Sequence, residues 1–153
     1  MNHCIKINDE VTVGPQPNEA EIEELKCQGF RTIVNFREDG EDNQPSALLN
    51  EKGWVVAAEM EYLHLPVSPQ GMSPQAVDEF REKYPYLPKP IYAHCASGKR
   101  AGAMVMMRQA CQHGMSGDET LEQAKRMGFQ CDKPKLMEFV KNYVDRHSHV
   151  GET

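Results

Sequence analysis

No apolar run in the sequence approaches the roughly 18 residues of a membrane-spanning helix, so a helical anchor has no candidate segment. Residues 1–15 lack the charged-then-apolar layout of a secretory leader. Positive charge is scarce: 17 Lys and Arg stand against 23 Asp and Glu, a formal net charge of −6. That balance argues against nucleic acid or an anionic membrane as the main partner. Paired cysteines are missing as well. The five, at positions 4, 27, 95, 111 and 131, include no Cys-x2-Cys spacing, which disfavours both a disulfide scaffold and a zinc site. Reduced thiols, and with them a cytoplasmic location, are the expectation. No metal or other cofactor is called for. Repeats and low-complexity tracts are also lacking, and 153 residues suit one domain over 1–153, with a core at about 11–146 and a frayed tail.

What is present concentrates in residues 90–107. A short apolar strand candidate at 91–94 runs into Cys95, then a loop with Ser97 and Gly98, then Lys99 and Arg100, then a helix. Unpaired N–H groups at a helix N-terminus and the helix dipole together favour an anion in such a loop. The same field lowers a thiol's pKa, so Cys95 is expected as a thiolate near neutral pH. Arg100 can grip an oxyanion with parallel hydrogen bonds, Lys99 adds a point charge, and Gly98 supplies positive φ. The reading is a cysteine nucleophile in an oxyanion-binding loop. His94 next to Cys95 does not suggest metal, since adjacent residues do not easily ligate one ion.

Around it, residues 4–7 and 11–13 read as an edge hairpin or entry strands, and Gly14-Pro15-Gln16-Pro17 as a turn. Asn18 and Glu21 form a capping box for a helix that closes at Gly29. Residues 31–36 are a β-branched strand, 37–45 a polar loop, and 46–60 a helix interrupted by Gly53, with Trp54-Val55-Val56 open to a strand reading. Residues 62–67 form the next strand. Ser73-Pro74 opens a helix that ends at Pro85, with Val77, Phe80 and Tyr84 as its apolar face. The helix after the loop runs from near Arg100 to Gly114, Ser116 and Glu119 cap another that ends at Gly128, and Asp132 caps the last. Met104, Met106 and Met107 are read as core filler, the cysteines other than Cys95 as packing, and His64 as a hydrogen-bonded core or edge histidine. Strands alternating with helices predict a layered α/β fold with a ligand at the strand C-terminal edge.

His94-Cys95-x-Ser97-Gly98-x-Arg100, with Gly14-Pro-Gln-Pro, the strand at 30–36 and Tyr62-Leu-His-Leu-Pro-Val, resembles the bacterial dual-specificity-phosphatase-like family, also called beta-lactamase-hydrolase-like. The resemblance covers roughly residues 11–130. It implies a three-layer, protein-tyrosine-phosphatase-like α/β fold with a mostly parallel central sheet flanked by helices. It also implies phosphate-monoester hydrolysis through a cysteinyl-phosphate, on a phosphorylated small molecule or phosphoprotein, without nucleic acid or membrane. Cys95 becomes the nucleophile and Arg100 the clamp. Ala96, Ser97, Gly98 and Lys99 supply the cradle, and His94 orders the loop and helps depress the thiol pKa.

Three features depart from the phosphatase pattern. Four residues, not five, separate Cys95 from Arg100, a spacing that sulfurtransferases holding a persulfide also use. Ala101 stands where Ser or Thr usually helps the cysteine leave. The loop at 68–71 has no carboxylate to serve as general acid, so Asp39 is the candidate, with Glu38, Glu41 and Asp42 as alternatives. Sulfur transfer and a non-catalytic anion-binding regulatory module are therefore the competing functions.

Overall fold

The computed structural model describes residues 4–38, 40–41, 48–68, 71–96, 98–128 and 134–148. The expected general acid Asp39, the loop residue Ser97, and Asp132, Cys131 and Asp42 lie outside the described residues.

The β-branched runs form strands, and their order in space is fixed by which faces must be covered. β1 (Ile5–Lys6) and β2 (Val11–Pro15) make the expected antiparallel hairpin, with Ile5 opposite Val13. Asn8 turns it by accepting from the backbone N–H groups of Glu10 and Val11 through its side-chain oxygen. β3 (Thr32–Asn35), β4 (Glu61–His64) and β5 (Ile91–Cys95) complete a sheet of order β1-β2-β5-β3-β4, parallel except for β1. The mostly parallel three-layer expectation holds. Gly14 and Pro15 are the last two residues of β2 rather than a turn. A Cβ at Gly14 would stand 2.5 Å from the Tyr92 hydroxyl, so close approach accounts for the glycine there.

Helices flank both faces. α1 (Glu19–Cys27) carries the Asn18–Glu21 capping box with both reciprocal bonds formed. α2 (Leu48–Ala57) settles the ambiguous stretch as helix, because Val55 is buried against the sheet while Leu49 and Val56 face outward. Together α1 and α2 cover one face through Ile22, Leu25, Ile33, Val55, Met60 and Tyr92. α3 (Pro74–Lys83) begins at Ser73 as expected but passes into a 3-10 turn over Tyr84–Tyr86, so Pro85 lies inside a turn rather than ending the helix. Edge-to-face contacts tie Phe36, Phe80 and Tyr84 together. α4 (Lys99–His113) is buried along most of its length, with Met104, Met106 and Met107 in the core. α5 (Gly117–Arg126) and α6 (Pro134–His147) close the second face, with Val140, Tyr143 and Val144 of α6 buried. Of the remaining cysteines, Cys111 packs in the core and Cys4 is half-buried, but Cys27 is exposed in the last turn of α1, contrary to the packing expectation. Among the described residues no helix is long and apolar enough to cross a membrane.

β5 lies between β2 and β3, and the helix that leads into it crosses the opposite face from those that lead into β3 and β4. Ligands of parallel α/β sheets gather beyond the strand C-termini at such a reversal. The chain there presents Gln16, Arg37 and the Cys95 loop.

Candidate active site

Alternation along β5 decides what each residue can do. Ile91, Ala93 and Cys95 belong to the core shared with α4, while Tyr92 belongs to the core on the other face and His94 points the same way. The nucleophile candidate and its neighbour therefore serve opposite sides of the sheet.

Past Cys95 the chain bends at once into α4. Gly98 is the N-cap, at φ 99°, with no side-chain cap bond, and an added Cβ would make ordinary contact with the Gly14 backbone at 3.5 Å, so the positive φ is what calls for glycine. Positive φ in a residue without Cβ turns the loop so that amides point inward. The Gly98 N–H donates to the Cys95 sulfur at 3.2 Å and the Ala101 N–H at 3.4 Å. The sulfur, 1% exposed, thus sits over the helix N-terminus, where partial positive charge gathers. Ala96 and Lys99 are exposed at the rim.

Arg100 turns back toward this loop. Its guanidinium donates to Glu41 through both terminal nitrogens, each at 2.8 Å, to the Val67 carbonyl at 2.7 Å, and lies in interaction range of Cys95. Burial works to lower the guanidinium pKa, but the Glu41 bonds and the nearby Cys95 outweigh it, and the net shift is upward. On the other partner, the Arg100 bonds hold the Glu41 carboxyl down to about 2 against the opposing effect of burial, with help from the Glu38 amide and Arg37. Glu41 is therefore an ionised acceptor in this arrangement. His64 bonds the Arg37 carbonyl, as a structural histidine should.

Sequence reasoning named His94 behind the loop but missed Glu51, Gln16 and Arg37. His94 Nε2 lies 2.7 Å from Glu51 Oε2, with both side chains wholly buried. Gln16 donates to Glu51 Oε1 at 2.8 Å and accepts from Arg37 at 3.3 Å. Arg37 also donates to Glu41 at 3.0 Å, and its backbone N–H to the Asn35 side chain at 2.8 Å. One signal was available: Glu51 falls one turn before Val55 and so shares the inward face of its helix. A carboxylate there invites the question of its partner.

The chain and its fold have known counterparts. The profile of the family described as beta-lactamase hydrolase-like protein, phosphatase-like domain, matches residues 5–112. A beta-lactamase hydrolase-like protein of Agrobacterium fabrum is 30% identical over 126 residues, which are 82% of this chain and 29% of that protein. The chain thus spans under a third of the length of the curated relatives it matches. A candidate phosphatase from Neisseria meningitidis superimposes with a TM-score of 0.77 at 26% identity, over 94% of this chain and 99% of that one. One from Shewanella putrefaciens, 21% identical, shares the fold with a TM-score of 0.79 over 96% and 94%. With the family profile matched over residues 5–112 of 153, the chain belongs to the phosphatase-like domain family of beta-lactamase hydrolase-like proteins.

Proposed function

We propose that the chain hydrolyses phosphate monoesters with Cys95 as nucleophile. The observation that carries this reading is the convergence of the Gly98 and Ala101 N–H groups on the Cys95 sulfur, with Arg100 projecting from the same helical turn. Donors aimed at one point stabilise negative charge wherever it develops, first on the thiolate and then on the phosphoryl oxygens. In the first step the sulfur attacks phosphorus, an S–P bond forms, the ester P–O bond breaks, and the leaving oxygen takes a proton. In the second, water attacks the cysteinyl-phosphate, releases inorganic phosphate and restores the thiolate. Asp39, two residues before the Arg100-bound Glu41, is the proposed donor to the leaving group. Ala101 brings a backbone N–H to the sulfur but no hydroxyl, which favours a slow second step. The substrate is a phosphorylated small molecule or phosphoprotein.

The test is hydrolysis of an activated aryl phosphate between about pH 5 and 8 by wild type, Cys95→Ser, Arg100→Ala and Asp39→Asn. Turnover should vanish in the cysteine variant and fall by about 10²–10³-fold in the arginine variant. The aspartate variant should lose the basic limb of the profile. Wild-type rates in Cys95→Ser would end the reading. Absence of turnover in wild type would redirect attention to the four-residue spacing between Cys95 and Arg100, and transfer of sulfur from thiosulfate to cyanide would then be assayed.

A further inference from the structure

Away from the Cys95 loop, α3, α4 and α6 leave an open cleft of about 490 Å³ between them. Arg81 of α3, Arg108 and Gln112 of α4 and His147 of α6 line it, together with Asp78 and Glu82 of α3. Arg100 and Arg108 both lie on α4, and at about 1.5 Å of rise per residue roughly 12 Å of helix axis separates them. Each arginine of the cleft is held by a tyrosine. Arg108 lies over the Tyr84 ring, 3.8 Å from its centroid. That ring is itself fixed, edge-to-face against Phe80 and with its hydroxyl donating to Glu10 at 2.8 Å. Arg81 donates to the Tyr143 hydroxyl at 3.1 Å. A guanidinium can only donate, so the Tyr143 proton goes to Asp78. Burial and that bond push the Tyr143 phenol up to about 12, which keeps this direction at neutral pH. His147 stacks on the same ring at 4.0 Å, and its Nδ1 donates to the Tyr143 carbonyl.

Stacking fixes the plane of a guanidinium but uses none of its five N–H groups. Arg108 is half-buried, and among the described residues it makes no hydrogen bond or ion pair. Its donors have lost part of their water without gaining protein acceptors, and they line the cleft. Asp78 gives an oxygen to Tyr143 and Glu82 is exposed, and among the described residues neither forms an ion pair with Arg81 or Arg108. Two guanidiniums and two carboxylates balance in charge, so capture here rests on directed bonds and not on a diffuse positive field. We infer that this cleft is an anion site separate from the Cys95 loop, which takes the phosphoryl group of a small phosphorylated ligand on the forks of Arg108 and Arg81. A carboxylate is filled by one fork, whereas the three outer oxygens of a phosphoryl group can serve two. The cleft is within the size range of small-molecule sites, which leaves room for the rest of the ligand, with Gln112 one turn beyond Arg108 to bond it.

The test is titration calorimetry with inorganic pyrophosphate in an Arg100→Ala background, where the Arg100 guanidinium cannot compete. Arg100→Ala, Arg100→Ala/Arg108→Lys and Arg100→Ala/Arg108→Gln are compared, with thermal melts alongside. Arg100→Ala should bind one equivalent. Lysine keeps the charge over Tyr84 but has no fork, and affinity should fall by about tenfold or more. Glutamine, which also lacks the charge, should bind more weakly still. Citrate, with carboxylates alone, should compete poorly. Absence of binding in Arg100→Ala, or an unchanged affinity in folded Arg100→Ala/Arg108→Lys, overturns the inference. Displacement of pyrophosphate by an equal concentration of citrate overturns the assignment to a phosphoryl group. Where the glutamine variant does not fold, the lysine variant decides by the same criterion. None of these readouts involves turnover or Cys95, so the outcome is independent of the phosphatase reading.

Discussion

At the scale of single residues, Glu41 ties Arg100 to the loop that follows β3. Its carboxyl titrates at about 2, against an ordinary value of 4.5, with the Arg100 bonds as the main cause. A folded-state pKa below the unfolded one means stability that is fully present above the ordinary carboxyl range and lost as pH falls through the depressed value. Glu41→Gln should therefore be less stable than wild type by about 1–3 kcal/mol near neutral pH. The gap should narrow from about pH 5 and close toward about pH 2, as followed by urea denaturation at a series of pH values. A gap independent of pH would show that the carboxylate contributes through packing alone. Here the sequence was partly readable. Cys95 and Arg100 stand out because thiol, glycine, arginine and helix start lie within six consecutive residues. Glu51 and Glu41 do not, because their partners are 43 and 59 residues away, and nothing local announces them.

At the scale of elements, local chemistry carried most of the fold. The capping boxes at Asn18 and Ser116, the Ser73-Pro74 start and the β-branched run at 32–35 each state their conformation within four residues. Boundaries failed where tertiary contact overrode them, as at Gly14-Pro15, drawn into β2 by pairing with His94 and Cys95. Glycines in two helices give opposite predictions. At Gly117, the first residue of α5, an added Cβ would fall 2.6 Å from the Lys141 carbonyl oxygen and 2.7 Å from its Cα, both backbone atoms of α6. The Gly117 N–H also donates to Asp145, so the two helices cannot part without losing that bond. Gly117→Ala should cost about 1–3 kcal/mol through overpacking. Gly53, inside α2, has open space around its Cβ position, and Gly53→Ala should stabilise by about 0.5–1 kcal/mol. Melting temperatures of the two variants moving in the same direction would contradict this account of the helices.

Across the whole molecule the two faces of the sheet are unequally supported. The core beneath α3, α4, α5 and α6 holds most of the buried apolar side chains, whereas that beneath α1 and α2 rests on Ile22, Leu25, Ile33, Val55, Met60 and Tyr92. Regions with fewer buried apolar contacts open at lower free energy. Native-state hydrogen exchange should accordingly show the amides of α1 and α2 exchanging through partial openings, while those of α4 and β5 require global unfolding. Equal protection on both faces would mean that the buried Glu51–His94 contact offsets the thinner apolar layer. Such asymmetry emerges from which face each crossover takes, which the order of elements along the chain does not state.

Because consecutive residues of β5 point to opposite sides, the Cys95 side chain lies on the α4 side of the sheet while His94 is held from the other. Two neighbours on a single strand thereby answer to different surroundings. An engineer could vary the exposed residues Ala96 and Lys99 without touching the buried bond between His94 and Glu51. The strand works as a partition, and directed variation could explore its two sides one at a time.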